Sequence, residues 1–155
     1  MDAVTYPNEE VIHEINESFV PLKLECNFGK PTELMKKYHV RWTPTLYIVE
    51  PAGSPRFHNV GFLPPEELLG HLELILAMDK FDRGQSEAAM NQLHMIPQKY
   101  SATNAAPQAI YYIGVAKYKK TREKRYLKEM YQNLADRYPD TLWAKKASPY
   151  SEIQD

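Results

Sequence analysis

The chain has 155 residues, 43% of them hydrophobic and 25% charged, enough apolar material for one domain or two small ones with a real core. A formal net charge of −1 excludes a global electrostatic pull toward nucleic acid or membrane. The charge is uneven, however: residues 1–80 hold 7 Lys+Arg against 12 Asp+Glu, and residues 81–155 hold 12 against 8, so the sign changes along the chain and two modules are suggested.

One cysteine, Cys26, excludes an intrachain disulfide, a cysteine-based zinc site and self-contained dithiol chemistry. No N-terminal stretch has the basic, apolar and small-residue order of a signal peptide. The longest apolar run, around Leu72–Met78, is broken by Glu73 and falls short of a membrane span. The sequence as given therefore reads as cytoplasmic.

In chain order, Val11, Ile12 and Ile15 fall on one face of a short amphipathic helix over Glu9–Glu17. Val20, Leu22, Leu24 and Cys26 alternate with Pro21, Lys23 and Glu25, a strand pattern over Phe19–Cys26 that puts Cys26 on the apolar side as a small buried hydrophobe. Pro31–Tyr38 reads as a helix with Leu34, Met35 and Tyr38 on one side. Trp42–Val49 is rich in β-formers, and Pro51-Ala-Gly-Ser turns it into a further strand, Pro55–Gly61, so that Thr45–Gly61 forms a hairpin. Pro64-Pro65-Glu66-Glu67 then opens a helix carrying Leu68, Leu69, Leu72, Ile75 and Leu76.

Beyond Asp79 the pattern is helical throughout. Ala89, Leu93 and Ile96 make one stripe, Ala109, Tyr112, Ile113 and Ala116 a second, and Leu127, Met130, Tyr131 and Leu134 a third. Breaks fall at Asp82–Gln85, Ser101–Pro107, Thr121–Glu123 and Pro139–Thr141. Tyr100 recurs as Tyr138, Thr103 as Thr141, Ala106 as Ala144, Ala109 as Ala147 and Tyr112 as Tyr150, with a basic residue (Lys99, Arg137) before each first tyrosine. Such a period marks a stacked array of helix pairs.

The first half resembles the thioredoxin superfamily. The resemblance rests on the order of hydrophobic strand, helix, Val40-Arg-Trp-Thr-Pro-Thr-Leu-Tyr-Ile-Val49, the Pro51-Ala-Gly53 turn, a strand ending in Gly61-Phe62, and the Pro-Pro-Glu-Glu helix, with Glu9–Phe19 similar to the helix and strand entry that follow the dithiol in relatives. It covers about residues 1–78. It implies a cis bond before Pro44 and a peptide groove formed by Trp42, Thr43 and Pro44. The family's first strand and its Cys-x-x-Cys motif have no counterpart here, so no catalytic residue carries over, and Cys26 matches neither motif cysteine.

The second half resembles tetratricopeptide repeats. Ile110-Tyr-Tyr-Ile-Gly-Val-Ala-Lys117 lies loosely on the W-x₂-L-G-x₂-Y pattern, with Ile113 and Gly114 at its Leu-Gly step. Asp136–Ala144 is similar to a loop-and-restart segment between repeats, and the array is expected to lean on the Leu68–Leu76 helix. The resulting expectation is an α/β domain, an N-terminally incomplete thioredoxin-like fold over residues 1–79, followed by an all-α tetratricopeptide-like array over residues 80–155.

Five histidines, His13, His39, His58, His71 and His94, show no metal-ligand spacing, and no Gly-rich phosphate loop or nucleophile elbow occurs, so no cofactor and no metal are expected. Lys117–Lys128 packs seven basic residues around one acid. Its sharp reading is an acidic partner or nucleic acid, with Tyr118 and Tyr126 available for stacking; its bland reading, which is favoured, is the solvated turn between two helices. Partner contact is assigned to Tyr111, Tyr118, Lys119, Lys120 and Arg122.

Three functions follow from these readings. The first is a member of the thiol–disulfide oxidoreductase lineage with a protein-interaction array, redox-inactive as given and an enzyme on protein disulfides only if a Cys-x-x-Cys segment precedes Met1. The second is a non-catalytic adaptor, and the third binds nucleic acid through residues 117–128. A chain lacking the central strand is further expected to associate through exposed strand edges with a second copy.

Overall fold

The computed structural model describes residues 1–153 and divides into two compact units, Met1–Leu68 and Leu69–Asp155. In the first unit, the amides of Val4, Thr5 and Tyr6 all donate to the Met1 carbonyl, and the buried Thr5 hydroxyl donates to the Leu63 carbonyl at 2.6 Å. Helix α1, Glu9–Ser18, starts where the Asn8 side chain accepts from the Val11 amide at 3.1 Å, with Glu9 and Glu10 in the first turn. The cap satisfies an amide the helix cannot, and the acids face the positive end of its dipole. Val11 is buried. Helix α2 is short, Glu33–Lys37, and its cap is Thr32, the residue after Pro31, whose hydroxyl accepts the Met35 amide at 3.2 Å.

Strands β1, Thr45–Val49, and β2, Pro55–Val60, pair antiparallel with Tyr47 opposite His58 and a bulge between Ile48 and Val49. Their turn closes through Gly53, at φ +83, whose amide donates to the Glu50 carbonyl at 2.7 Å; a glycine there avoids the Cβ strain of the left-handed region. An Arg56–Glu50 ion pair joins the ends of the turn. Ahead of β1, Trp42–Pro44 is not strand: the Thr43–Pro44 bond is cis, and the Thr45 hydroxyl folds back to the Trp42 carbonyl at 2.6 Å.

The strand expected over Phe19–Cys26 does not form. Residues 19–27 have no regular structure, Val20 and Leu22 are 96% and 73% exposed, and Cys26 is half-exposed rather than buried. The cause is pairing. The sheet has two strands, β1 and β2, and they pair with each other, so an alternating segment without a ladder partner gains nothing from extending into a strand.

Helix α3, Pro65–Asp82, runs on through residue 79, so the division between units falls inside it at Leu68/Leu69. In the second unit, Gly70 lies against Tyr100, Thr103 and Ala105, and Leu69, Leu72, Leu74 and Ala77 are buried. Gln92 bridges Lys80 and Glu73, accepting from one at 2.6 Å and donating to the other at 2.5 Å, and so fixes α3 to the next helix. That helix, α4, spans Ser86–Lys99; α5 spans Ala105–Thr121, α6 Arg125–Arg137, α7 Leu142–Ala147, and a 3₁₀ turn follows over Ser148–Glu152.

The 38-residue sequence period has a geometric counterpart. Ala89 and Leu127, Ile96 and Leu134, Ala106 and Ala144, Ala109 and Ala147 are all buried. The Tyr100 and Tyr138 amides close their helices onto Ile96 and Leu134, each at 2.8 Å. The Thr103 and Thr141 hydroxyls donate to the carbonyls of Tyr100 and Tyr138, again at 2.8 Å. Lys99 and Arg137 lie over the rings of Tyr100 and Tyr138 at 5.0 and 5.4 Å.

The second expected stripe needs correction. On α5 the buried residues include Ala106, Ala109, Ile110 and Gly114, whereas Tyr112, Ile113 and Ala116 are half-buried. Because α5 touches α4, α6 and α7, small residues go where helix backbones approach, and the larger ones turn to the flank. Pro107 likewise belongs to the first turn of α5 rather than to the preceding loop, where its missing N–H costs no helical bond.

Candidate functional sites

The first candidate, Trp42-Thr43-Pro44, lies on the surface of the N-terminal unit, with Trp42 71% exposed and Thr43 and Pro44 also exposed. The Pro44 carbonyl accepts the Gly61 amide at 2.8 Å, and Gly61 takes φ +93 to reach it. Proline has no N–H to offer, so an incoming chain would find one remaining lone pair at Pro44 rather than a donor–acceptor pair. What the segment does present is the flat, open face of an indole.

The hairpin beside it carries a ring stack that the sequence did not single out. Tyr47 stacks on His58 across the strands at 4.4 Å and 20°, and Tyr38 tilts onto Tyr47 at 5.0 Å. The Tyr47 hydroxyl donates to the Tyr38 carbonyl at 2.6 Å, and the Tyr38 hydroxyl to the Gly53 carbonyl at 3.0 Å. These bonds fasten the end of α2 to the hairpin turn, so the stack supports the fold. The only sequence signal was Tyr47 opposite His58 in the hairpin register, a cross-strand pair of aromatic type.

The second candidate set, on the helical unit, separates into two places. Tyr111 lies mid-helix on α5 and joins an aromatic cluster: it meets Tyr112 at 6.3 Å and Trp143 of α7 at 5.2 Å, while Tyr112 meets Trp143 edge-on at 5.6 Å. Lys146 lies 4.2 Å over the Trp143 ring, and the Tyr112 hydroxyl accepts from Gln108 at 3.1 Å. All of these rings are half-buried. Burial pushes the Tyr111 phenol above its ordinary value, and its hydrogen bond with Tyr150 and that ring's charge push the same way. Trp143 and Tyr150 were not among the residues assigned to partner contact; the repeat of Tyr112 as Tyr150 was the one sequence signal for either.

Tyr118, Lys119, Lys120 and Arg122 lie at the C-terminal end of α5. Tyr118 packs on the core of Ile110, Leu127, Met130 and Leu134, and its carbonyl accepts the Arg122 amide at 2.7 Å, with Arg122 at φ +64 as a left-handed cap. Lys119, Lys120 and Arg122 are exposed, and cations there oppose the negative end of the α5 dipole. Tyr126 is approached by Lys117 at 5.7 Å and Arg125 at 4.9 Å, so its ring is occupied by the chain's own cations. The segment is thus the turn from α5 to α6, with a helix cap at its centre.

Among the described residues, no group of three or more His, Cys, Asp or Glu converges as a metal site would. No buried side-chain nitrogen or oxygen there lacks a hydrogen-bond partner. No helix among them is long and apolar enough to cross a membrane. The Cys26 thiol stands in the irregular stretch described above, and the chain holds no second cysteine to resolve a mixed disulfide.

A family model described as a thioredoxin-like domain matches residues 2–76. Comparison with curated proteins and with solved structures gave no match. The matched span holds α1, α2, the β1–β2 hairpin and the start of α3, with Pro44 leading into β1. Residues 2–76 are thus similar to a thioredoxin-like domain, here with a sheet of two strands, and most of the helical unit lies beyond them.

Proposed function

We propose that this chain is a thioredoxin-lineage protein that acts by holding a protein partner, and that it performs no dithiol chemistry by itself. Residues 1–79 and 80–155 serve as its two modules, the second a tetratricopeptide-like array. The observation that carries the reading is the half-exposed cluster of Tyr111, Tyr112 and Trp143 on α5 and α7, with Lys146 over the indole. Rings with an apolar body and a polar tip, already ordered by packing, lose little entropy on contact and are enriched at the energetic centres of interfaces. The equivalence of the Tyr100–Thr103 and Tyr138–Thr141 turns supports the repeat character. The exposed Trp42–Pro44 segment is a second contact surface on the thioredoxin-like module.

The redox half of the reading rests on stoichiometry: reducing a disulfide and releasing the product requires an attacking and a resolving thiol, and the chain has Cys26 alone. The test has two arms. Displayed peptides selected on the chain should enrich binders that weaken about tenfold or more in Tyr112→Ala, the order of loss expected for a ring at the centre of a contact, while the thermal midpoint holds. In an insulin-reduction assay the chain should show no turnover. Binders indifferent to both Tyr112→Ala and Trp143→Ala would overturn the docking surface. Turnover that disappears in Cys26→Ser would overturn the claim of redox inactivity.

A further inference from the structure

The irregular stretch after α1 has a strand's sequence and none of a strand's bonds. Val20–Cys26 makes no backbone hydrogen bond within the described chain, and Val20, Leu22 and Leu24 are 96%, 73% and 48% exposed. Lys23 pairs with Asp2 at 3.0 Å, an ion pair in water at both ends that restrains the segment little. A run of unpaired amides and carbonyls beside alternating apolar side chains is a template for another strand.

We propose that Pro21–Asn27, which ends where the Lys30 amide closes a turn onto the Asn27 carbonyl, pairs antiparallel with the same segment of a second copy, in the register that places Leu24 opposite Leu24. The argument is charge and proline placement along the sequence. In that register Lys23 faces Glu25 of the second copy and Glu25 faces its Lys23, so the pairing is satisfied twice by symmetry. Leu22 faces Cys26 on the other side of the ribbon, beside the Leu24 pair, so that side is apolar throughout. Centring on Lys23 or on Glu25 instead sets like charges opposite each other, which costs stability. Pro21 then decides the hydrogen-bond phase. It cannot donate, so the Pro21–Asn27 pair must occupy a non-hydrogen-bonded position. Alternation puts Lys23–Glu25 in the same class, where opposed side chains lie closest and the ion pair is strongest. The Leu24 and Leu22–Cys26 pairs take the hydrogen-bonded positions. Isologous pairing of this kind is the commonest symmetry for a homodimer.

Two short segments make a small contact, so the association belongs in the micromolar range rather than below it. The test is sedimentation velocity of the full chain at micromolar concentration, with charge-reversed variants. Wild type should dimerise. Lys23→Glu alone sets two acids opposite two acids, and Glu25→Lys alone sets lysines opposite lysines, so each should associate about tenfold more weakly or worse, as like charges across a contact do. An equimolar mixture of the two variants restores both ion pairs and should form the heterodimer. A variant that had merely misfolded would not be rescued by mixing. A wild type that stays monomeric, or variants that dimerise as well as wild type, would overturn the pairing.

Discussion

At the scale of single residues, the tightest constraint in the helical unit is Gly114. A Cβ built there would lie 2.5 Å from the Met130 Cβ and 2.7 Å from its Cγ and Sδ. Alanine is the better helix former by roughly 0.8–1 kcal/mol, so an exposed helical glycine would gain from replacement. Here the crowded atoms include the Cβ at the root of Met130, which no rotamer change can move aside. Overpacking a well-filled contact costs about 1–3 kcal/mol, and that term outweighs the propensity gain. Gly114→Ala is therefore expected to lower the urea midpoint by an amount equivalent to about 1–2 kcal/mol without altering the slope. A raised midpoint would mean that α5 and α6 can part at no cost. Gly84 is a different case: nothing stands within 4 Å of its would-be Cβ, and its φ of +76 alone selects glycine.

At the scale of elements, the short helix α7 depends on how it starts. The Thr141 hydroxyl donates to the Tyr138 carbonyl at 2.8 Å and the same oxygen accepts the Ala144 amide at 3.3 Å. Thr141→Val keeps the shape and removes both bonds, so it should cost about 1 kcal/mol, whereas Thr141→Ser keeps the oxygen and should cost a few tenths. Faster hydrogen exchange at the Ala144 amide in the valine variant alone would show the cap at work; equal exchange in both variants would remove it from the account. Helices of this kind were legible in the sequence because their apolar stripes recur at helical spacing whatever lies beside them. The Phe19–Cys26 strand was misread because alternation reports that a segment has two faces and says nothing of a ladder partner. On α5 the stripe was drawn through the larger residues Tyr112 and Ile113, when a helix with three neighbours buries Ala106, Ala109 and Gly114 instead. Tyr111 stood out in the sequence, but its contact with Trp143 depends on how α7 packs on α5, which no local pattern encodes.

At the scale of the whole molecule, the two units differ in how much each buries. Among residues 1–68 the buried side chains are Thr5, Val11, Met35, Ile48, Leu63 and Leu68, whereas each helix from α3 to α6 contributes three or more to the second unit and α7 adds Ala144 and Ala147. Each fully buried large apolar side chain contributes about 1.5–3 kcal/mol. Ordering a residue's backbone costs about 1–2 kcal/mol whether or not its side chain is buried. With few buried side chains over many ordered residues, the first unit should open at a lower free energy than the helical one. Native-state hydrogen exchange would read this directly. The ladder amides of β1 and β2, Ile48 among them, should exchange through an opening that leaves the interior amides of α5 protected, and the amides of Val20–Cys26 should exchange without protection at low concentration. If the hairpin amides prove as slow as those around Ile110 and Gly114, the chain opens as one cooperative body, and the sparse burial of its first unit does not set the order of unfolding.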